Sequence, residues 1–266
     1  MPIALNASMW DLSGRCALIT GAGSETGIGF VTAQALADLG ARVVLTSTTD
    51  RIHERVAQLD AQGYDAYGVI ADLTDPDQVA STLTRANTWC DRIDIVVNNA
   101  GMTSVVAAGS DESGSIVEVT PEAWRLSLAR NLDTAYLVSR AALPQMRDAG
   151  WGRIVMVSSV TGPVMSMRGE VAYAAAKSGL VGLTRALAVD HAADGITVNA
   201  VAPGWIATGS QTEHEREQGL RTPMGRSGTP QEIASAIAWL VSPGASYVTG
   251  QCITVDGGNS ISEERA

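Results

Sequence analysis

Short, continuously apolar runs alternate with longer segments of helical spacing along the whole chain, and this rhythm constrains the fold more than any other feature. Residues 16–20, 42–46, 66–70, 93–97, 153–157, 196–201 and 252–255 read as strands. Asp75-Pro76, Thr120-Pro121 and Thr229-Pro230 each place a capping side chain ahead of a proline, a residue whose missing N–H costs nothing in the first helical turn. Gly40, Gly63 and Gly150 close helical patterns. Helices are expected over about 30–39, 51–62, from 75, over 120–150, over 173–193 and over 229–239. Strands apolar on both faces and separated by helices predict a parallel sheet covered on both sides. With right-handed crossovers this is an α/β, Rossmann-like, doubly wound parallel seven-stranded sheet. One domain is expected over 1–266, with flexible ends about 1–11 and 259–266. The stretches 103–119 and 205–227 break the rhythm. Both follow strand C-terminal ends, where such sheets bind ligands, and they read as substrate loops.

The formal net charge is −10, from 18 Lys+Arg against 28 Asp+Glu. An acidic surface of this kind repels phosphate backbones and anionic lipid, so nucleic acid and membrane are not expected partners. No apolar run approaches transmembrane length, and the first residues lack the basic start of a signal peptide, so a cytoplasmic location is expected. Cys16, Cys90 and Cys252 are far apart, without Cys-x-x-Cys or a Cys/His cluster. They are expected to be reduced thiols, and no metal site is expected.

Thr20-Gly21-Ala22-Gly23-Ser24-Glu25-Thr26-Gly27-Ile28-Gly29 joins the first strand to the first helix. Glycines there let the backbone approach a pyrophosphate, and the helix N-terminus offers N–H groups and partial positive charge. At the end of the second strand a carboxylate would favour NAD and an arginine NADP. The chain instead has Ser47, Thr48 and Thr49, then Asp50 and Arg51, with Glu25 opposing in the glycine turn, so both cofactors stay open. Tyr173 and Lys177 are four residues apart, on one helical face. Lys177 is the only lysine in the chain. An adjacent ammonium favours a phenolate, so Lys177 is expected to lower the Tyr173 pKa.

Together these segments resemble the short-chain dehydrogenase/reductase family, in its compact single-domain branch, over about residues 12–258. In the family's order come the glycine turn, Asp72-Leu73, Asn98-Asn99-Ala100-Gly101, Asn131-Leu132, Ser158-Ser159, Tyr173 with Lys177, Pro203-Gly204-x-Ile206-x-Thr208 and Asp256-Gly257-Gly258. The resemblance implies that Tyr173 exchanges a proton with the substrate oxygen, Ser159 holds that oxygen, Lys177 assists Tyr173 and binds the nicotinamide ribose, and Asn131 supports a proton relay. It implies cofactor contacts from Gly21, Ser24, Gly27, Ile28, Ser47, Thr48, Asp72, Leu73, Asn99, Ala100, Gly101, Pro203, Gly204, Ile206 and Thr208, together with Tyr173 and Lys177. Asn98 reads as a brace for the sheet.

Three departures stand out. The glycine turn has five residues between Gly21 and Gly27, two more than the family's usual turn. The segment from Ser159 to Tyr173 and the 103–119 loop are also longer than common. The implied activity is an NAD- or NADP-dependent interconversion of a secondary alcohol and a ketone. Alternatives are a 3-oxoacyl-carrier-protein reductase and a catalytically silent, cofactor-binding regulator; a sugar-nucleotide epimerase ranks lower, because little chain follows the sixth strand. The expected partner is a small alcohol or ketone, and the resemblance implies a homotetramer.

Overall fold

The computed structural model describes residues 9–101 and 112–263. Seven parallel strands form one sheet in the order β3-β2-β1-β4-β5-β6-β7. They are β1 (Cys16–Ile19), β2 (Arg42–Ser47), β3 (Ala66–Ile70), β4 (Ile95–Asn98), β5 (Gly152–Val157), β6 (Ile196–Pro203) and β7 (Cys252–Val255). Each lies within two residues of its sequence expectation. The helices are α1 (Ile28–Asp38), α2 (Arg51–Asp60), α3 (Pro76–Cys90), α4 (Pro121–Leu128), α5 (Thr134–Ala149), α6 (Val171–His191), α7 (Glu213–Leu220) and α8 (Pro230–Val241). One apolar cluster fills the sheet face under α3, α5 and α6, and a second fills the face under α1 and α8. Burying both faces is what made the strands read as unbroken apolar runs. Strand order reverses between β1 and β4, and the crevice at the C-terminal ends of these strands is where such folds bind ligands.

The three predicted caps form: Asp75, Thr120 and Thr229 accept from the N–H of Asp77, Ala123 and Glu232. Three expectations are corrected. The helix read as continuous over 120–150 contains a π-turn at Ala129–Asp133 between α4 and α5. A single wide turn between two helical stretches carries no residue signal of its own, which is why the sequence read as one helix. The 205–227 loop holds a helix, α7, opened by a Thr212/Glu215 capping box; its polar residues masked helical spacing. Finally, Cys16 and Cys90 pair as a disulfide, leaving Cys252 free. The pairing joins β1 to the end of α3 across 74 residues, a contact that sequence spacing cannot show. Residues 103–111 of the first substrate loop lie outside the described residues. Among the described residues no helix is long and apolar enough to cross a membrane, and no cluster suited to a metal ion occurs.

Candidate active site

The sequence candidates lie along the C-terminal edge of the sheet, where consecutive strands deliver them. After β1 the glycine turn is tied down from two sides. The Ala22 N–H donates to the Thr46 carbonyl of β2 at 2.8 Å. Asn99 Nδ2, just past β4, donates to the carbonyls of Thr20 and Gly21 at 2.9 and 3.0 Å. Thr20 Oγ1 accepts from the N–H of Asn99 and of Ala100. The turn then enters α1 at Gly27, where no side chain caps the helix and no acidic residue occupies the first turn. An uncapped N-terminus in this crevice suits an anionic phosphate, so these residues fit a dinucleotide. Asn98 donates to Ser139 Oγ and lies wholly inside, bracing β4 against α5.

The ends of β2 and β3 carry the other cofactor candidates. Ser47 Oγ donates to the Thr49 carbonyl and Thr48 is exposed. Glu25 turns toward α2, where Gln58 donates to it at 3.1 Å and Arg55 lies 3.7 Å away. Asp72 is exposed and accepts from Thr74, whereas Leu73 is buried in the core. After β6, Gly204 packs against Asp256, so closely that a Cβ would lie 2.7 Å from it. Ile206 bridges to Gly228, and Thr208 Oγ1 pairs with Ser210. The longer glycine turn reaches this loop: Thr26 Oγ1 accepts from the Gly209 N–H at 2.9 Å. A groove of about 630 Å³ opens on the far side of α1, lined by Thr26, Phe30, Gln34 and Gln58 among others, and no catalytic candidate lines it.

Tyr173, Lys177 and Ser159 come together. The Lys177 Nζ lies 5.4 Å from the centroid of the Tyr173 ring, as the four-residue spacing requires. Lys177 is buried and donates to the Val157 carbonyl at 3.0 Å. Its backbone carbonyl accepts from Ser158 Oγ at 2.8 Å, so Ser158 braces the helix, while the Ser159 hydroxyl faces the Tyr173 phenol closely enough to pull its pKa down. The glycine of Ser159-x-x-Gly162 is required here. Gly162 has φ +109°, and a Cβ would lie 2.3 Å from the Ala174 carbonyl of α6. Asn131 sits in the π-turn, fully buried; its Nδ2 donates to the Ser127 carbonyl, while Oδ1 has no partner among the described residues.

The electrostatics depart from the sequence expectation. Burial pushes the Tyr173 phenol up to about 12; the Ser159 hydrogen bond pulls it down, and the charges of Glu170 and Glu215 push it further up. Burial likewise pushes the Lys177 amine down to about 8. Desolvation therefore outweighs the expected help from the ammonium. Sequence reasoning had passed over Glu170, Glu215, Arg130 and Glu112. Glu215 was visible as the fourth residue of a Thr-x-x-Glu capping box; the others carried no spacing signal.

A seven-stranded, doubly wound sheet with a serine, a tyrosine and a lysine gathered beside a glycine turn defines a class of dinucleotide-linked oxidoreductases. A family model described as enoyl-(acyl carrier protein) reductase matches residues 21–260. The 3-oxoacyl-[acyl-carrier-protein] reductase FabG of Pseudomonas aeruginosa is 40% identical over 95% of this chain and 100% of its own length. Oxidoreductase UcpA of Escherichia coli is 36% identical over 96% of this chain and 98% of its own. Among solved structures, a 7α-hydroxysteroid dehydrogenase complexed with NADH and 7-oxo glycochenodeoxycholic acid superposes with TM-score 0.88 at 30% identity, covering 97% of this chain and 99% of that one. A short-chain type dehydrogenase/reductase from Mycobacterium marinum gives TM-score 0.86 at 32% identity, covering 96% and 98%. The chain belongs to the short-chain dehydrogenase/reductase family, and it is an oxidoreductase of that family.

Proposed function

We propose that the protein interconverts a secondary alcohol and a ketone with a nicotinamide dinucleotide. The observation that carries this reading is the gathering of Ser159, Tyr173 and the chain's only lysine, whose Nζ lies 5.4 Å from the centroid of the Tyr173 ring. A bound nicotinamide would supply or accept the hydride. The uncapped N-terminus of α1 and the glycine turn would hold its phosphates, with Ser47, Thr48 and Asp72 toward the adenosine end. Ile206 and Thr208 would face the nicotinamide end. Ser159 would orient the substrate oxygen toward Tyr173 Oη, and that atom would give up its proton in reduction or take one in oxidation. A phenol held at about 12 keeps its proton at neutral pH, the form that donates to a carbonyl oxygen. Lys177 and Asn131 would return the proton from the solvent side.

The substrate carbon would lie near Glu170 and Glu215, whose charges already act on the phenol. Two negative charges there disfavour a carboxylate beside the reacting carbon and suit a neutral, modest-sized alcohol or ketone. The FabG relatives favour a second reading, reduction of a 3-oxoacyl group on a carrier protein. The net charge of −10 speaks against it, because docking an acidic carrier calls for basic residues. The homotetramer that the resemblance implies would draw on apolar surface such as the groove between α5 and α6, lined by Tyr136, Leu143, Leu183 and Leu187.

The test is absorbance at 340 nm with NAD and with NADP against a panel of secondary alcohols, and with the reduced cofactors against the matching ketones and a 3-oxoacyl thioester. Turnover of an alcohol–ketone pair supports the main reading, and turnover of the thioester alone supports the second. Cofactor binding without turnover of any of them would turn the reading toward a silent regulator.

A further inference from the structure

Two of the chain's departures from its family, the long loop after β4 and the long segment between Ser159 and Tyr173, meet in space. Gly114 and Glu170 form an isolated parallel bridge, and the Gly114 N–H donates to the Gly169 carbonyl. Ser113 Oγ donates to Glu170 Oε1 at 3.0 Å. Glu170 stands immediately before α6, three residues ahead of Tyr173. The end of the β4 loop is thus joined to the start of the helix that carries the proton donor.

The same loop is anchored on its other side by an ion pair. Glu112 is 3% exposed and pairs with Arg130 Nη1. Arg130 is the second residue of the π-turn and the immediate neighbour of Asn131. The turn has no freedom to drift toward the sheet. Gly101, at φ +133°, lies against it so closely that a Cβ would be 2.8 Å from Asn131 Oδ1 and 3.2 Å from the Arg130 carbonyl. One continuous set of contacts therefore runs from Asn131 through Arg130 and Glu112 to Ser113 and Gly114, and on through Gly169 and Glu170 to Tyr173.

A carboxylate buried this deeply needs its counter-charge, because an unpaired buried ion is costly. Among the described residues Glu112 Oε2 has no hydrogen-bond partner, and Arg130, at Oε1, is the counter-charge. Removing Arg130 strands the Glu112 charge, and the loop must move toward water to relieve it, which releases it from the π-turn.

We infer that Glu112 and Arg130 are a positioning pair that fixes the distance between the relay residue Asn131 and the proton donor Tyr173. This inference rests on the proposed alcohol–ketone activity. The pair lies outside the residues proposed above to hold cofactor and substrate. It acts on the rate of the chemical step, because small displacements of a proton donor lower rate far more than binding.

The experiment compares wild type, Arg130→Met, Arg130→Lys and Glu112→Gln/Arg130→Met. Hydrogen exchange is read at 112–118 and 167–173 without substrate, and kcat and KM are read with the panel alcohol that wild type turns over fastest. Arg130→Met should speed exchange in both segments and lower kcat about 10- to 100-fold, with KM for the cofactor within about 3-fold. Arg130→Lys, which keeps the charge, should restore at least half of the loss on a logarithmic scale. The double variant, which removes the stranded carboxylate, should recover the slow exchange in part. Unchanged exchange in Arg130→Met overturns the inference. So does faster exchange with unchanged kcat, or failure of Arg130→Lys to rescue. Failure of the underlying activity reading looks different: wild type itself would turn over no panel alcohol, while the exchange result would stand.

Discussion

The two edges of the sheet are built differently. At the N-terminal edge the buried carboxylate is fully paired, and buried Arg153, pushed down to about 10 by burial and by Arg15, donates to the carbonyls of Gly152 and Gly195. Asp94, 2% exposed, pairs with Arg15 at 3.1 Å and Arg92 at 2.7 Å, and its other oxygen accepts from the Cys16 N–H. Arg15 and Arg153 also lie over the Trp151 ring, 3.8 and 4.4 Å from its centroid. The Cys16–Cys90 bond ties the same edge to α3. At the C-terminal edge, polar groups are held away from their ordinary state. Lys177 is buried and donates to one carbonyl, Tyr173 is pushed up, and Asn131 Oδ1, inside a π-turn, has no partner among the described residues. The N-terminal edge carries stability, and the C-terminal edge spends some of it to hold reactive groups in place.

If that division is right, changes at the N-terminal edge should alter melting and leave kinetics alone. The largest effect is expected from Cys90→Ser. A bond closing a 74-residue loop is worth up to roughly 4 kcal/mol by the chain-entropy argument. Denaturant unfolding without reductant should show the loss, and added reductant should abolish the difference from wild type. Asp94→Ala comes next, at about 3 kcal/mol, since it strands two arginines that are partly exposed and can regain water. Its kcat/KM should stay within about 2-fold of wild type, because nothing at the C-terminal edge moves.

Lys177→Met should cut the other way. It removes a buried ammonium, so the cofactor-free protein should gain on the order of 2 kcal/mol at pH 7 while losing activity. The sign follows from the depressed amine, at about 8 against an ordinary 10.5. Between those pH values the unfolded chain binds more protons than the folded one, so wild type gains stability as pH rises through the window. The gap between Lys177→Met and wild type should be full below pH 8 and close by about pH 10.5. A gap that is independent of pH would contradict the assignment.

Much of this was legible in the sequence, for physical reasons. Strands buried on both faces announce themselves, and Asp75, Thr120 and Thr229 marked helix starts because orphan N–H groups need a short oxygen-bearing side chain. Tyr173 and Lys177 could be paired because four residues make one helical turn. What stayed hidden depends on long-range approach or on surroundings. The Cys16–Cys90 pair and the Glu112–Arg130 pair join segments that no local spacing relates. The rise in the Tyr173 pKa comes from burial, which sequence does not report. The π-turn around Asn131 escaped because a single wide turn inside a helix has no residue signature of its own.

The central claim is that Tyr173 moves the proton at the reacting oxygen. Tyr173→Phe removes one oxygen and keeps the ring against Lys177. Single-turnover absorbance at 340 nm, with the panel alcohol preferred by wild type, should then fall by about 10³-fold or more. Cofactor affinity should stay within about 3-fold and melting within about 2 °C. A variant that keeps a tenth or more of wild-type turnover would contradict the account.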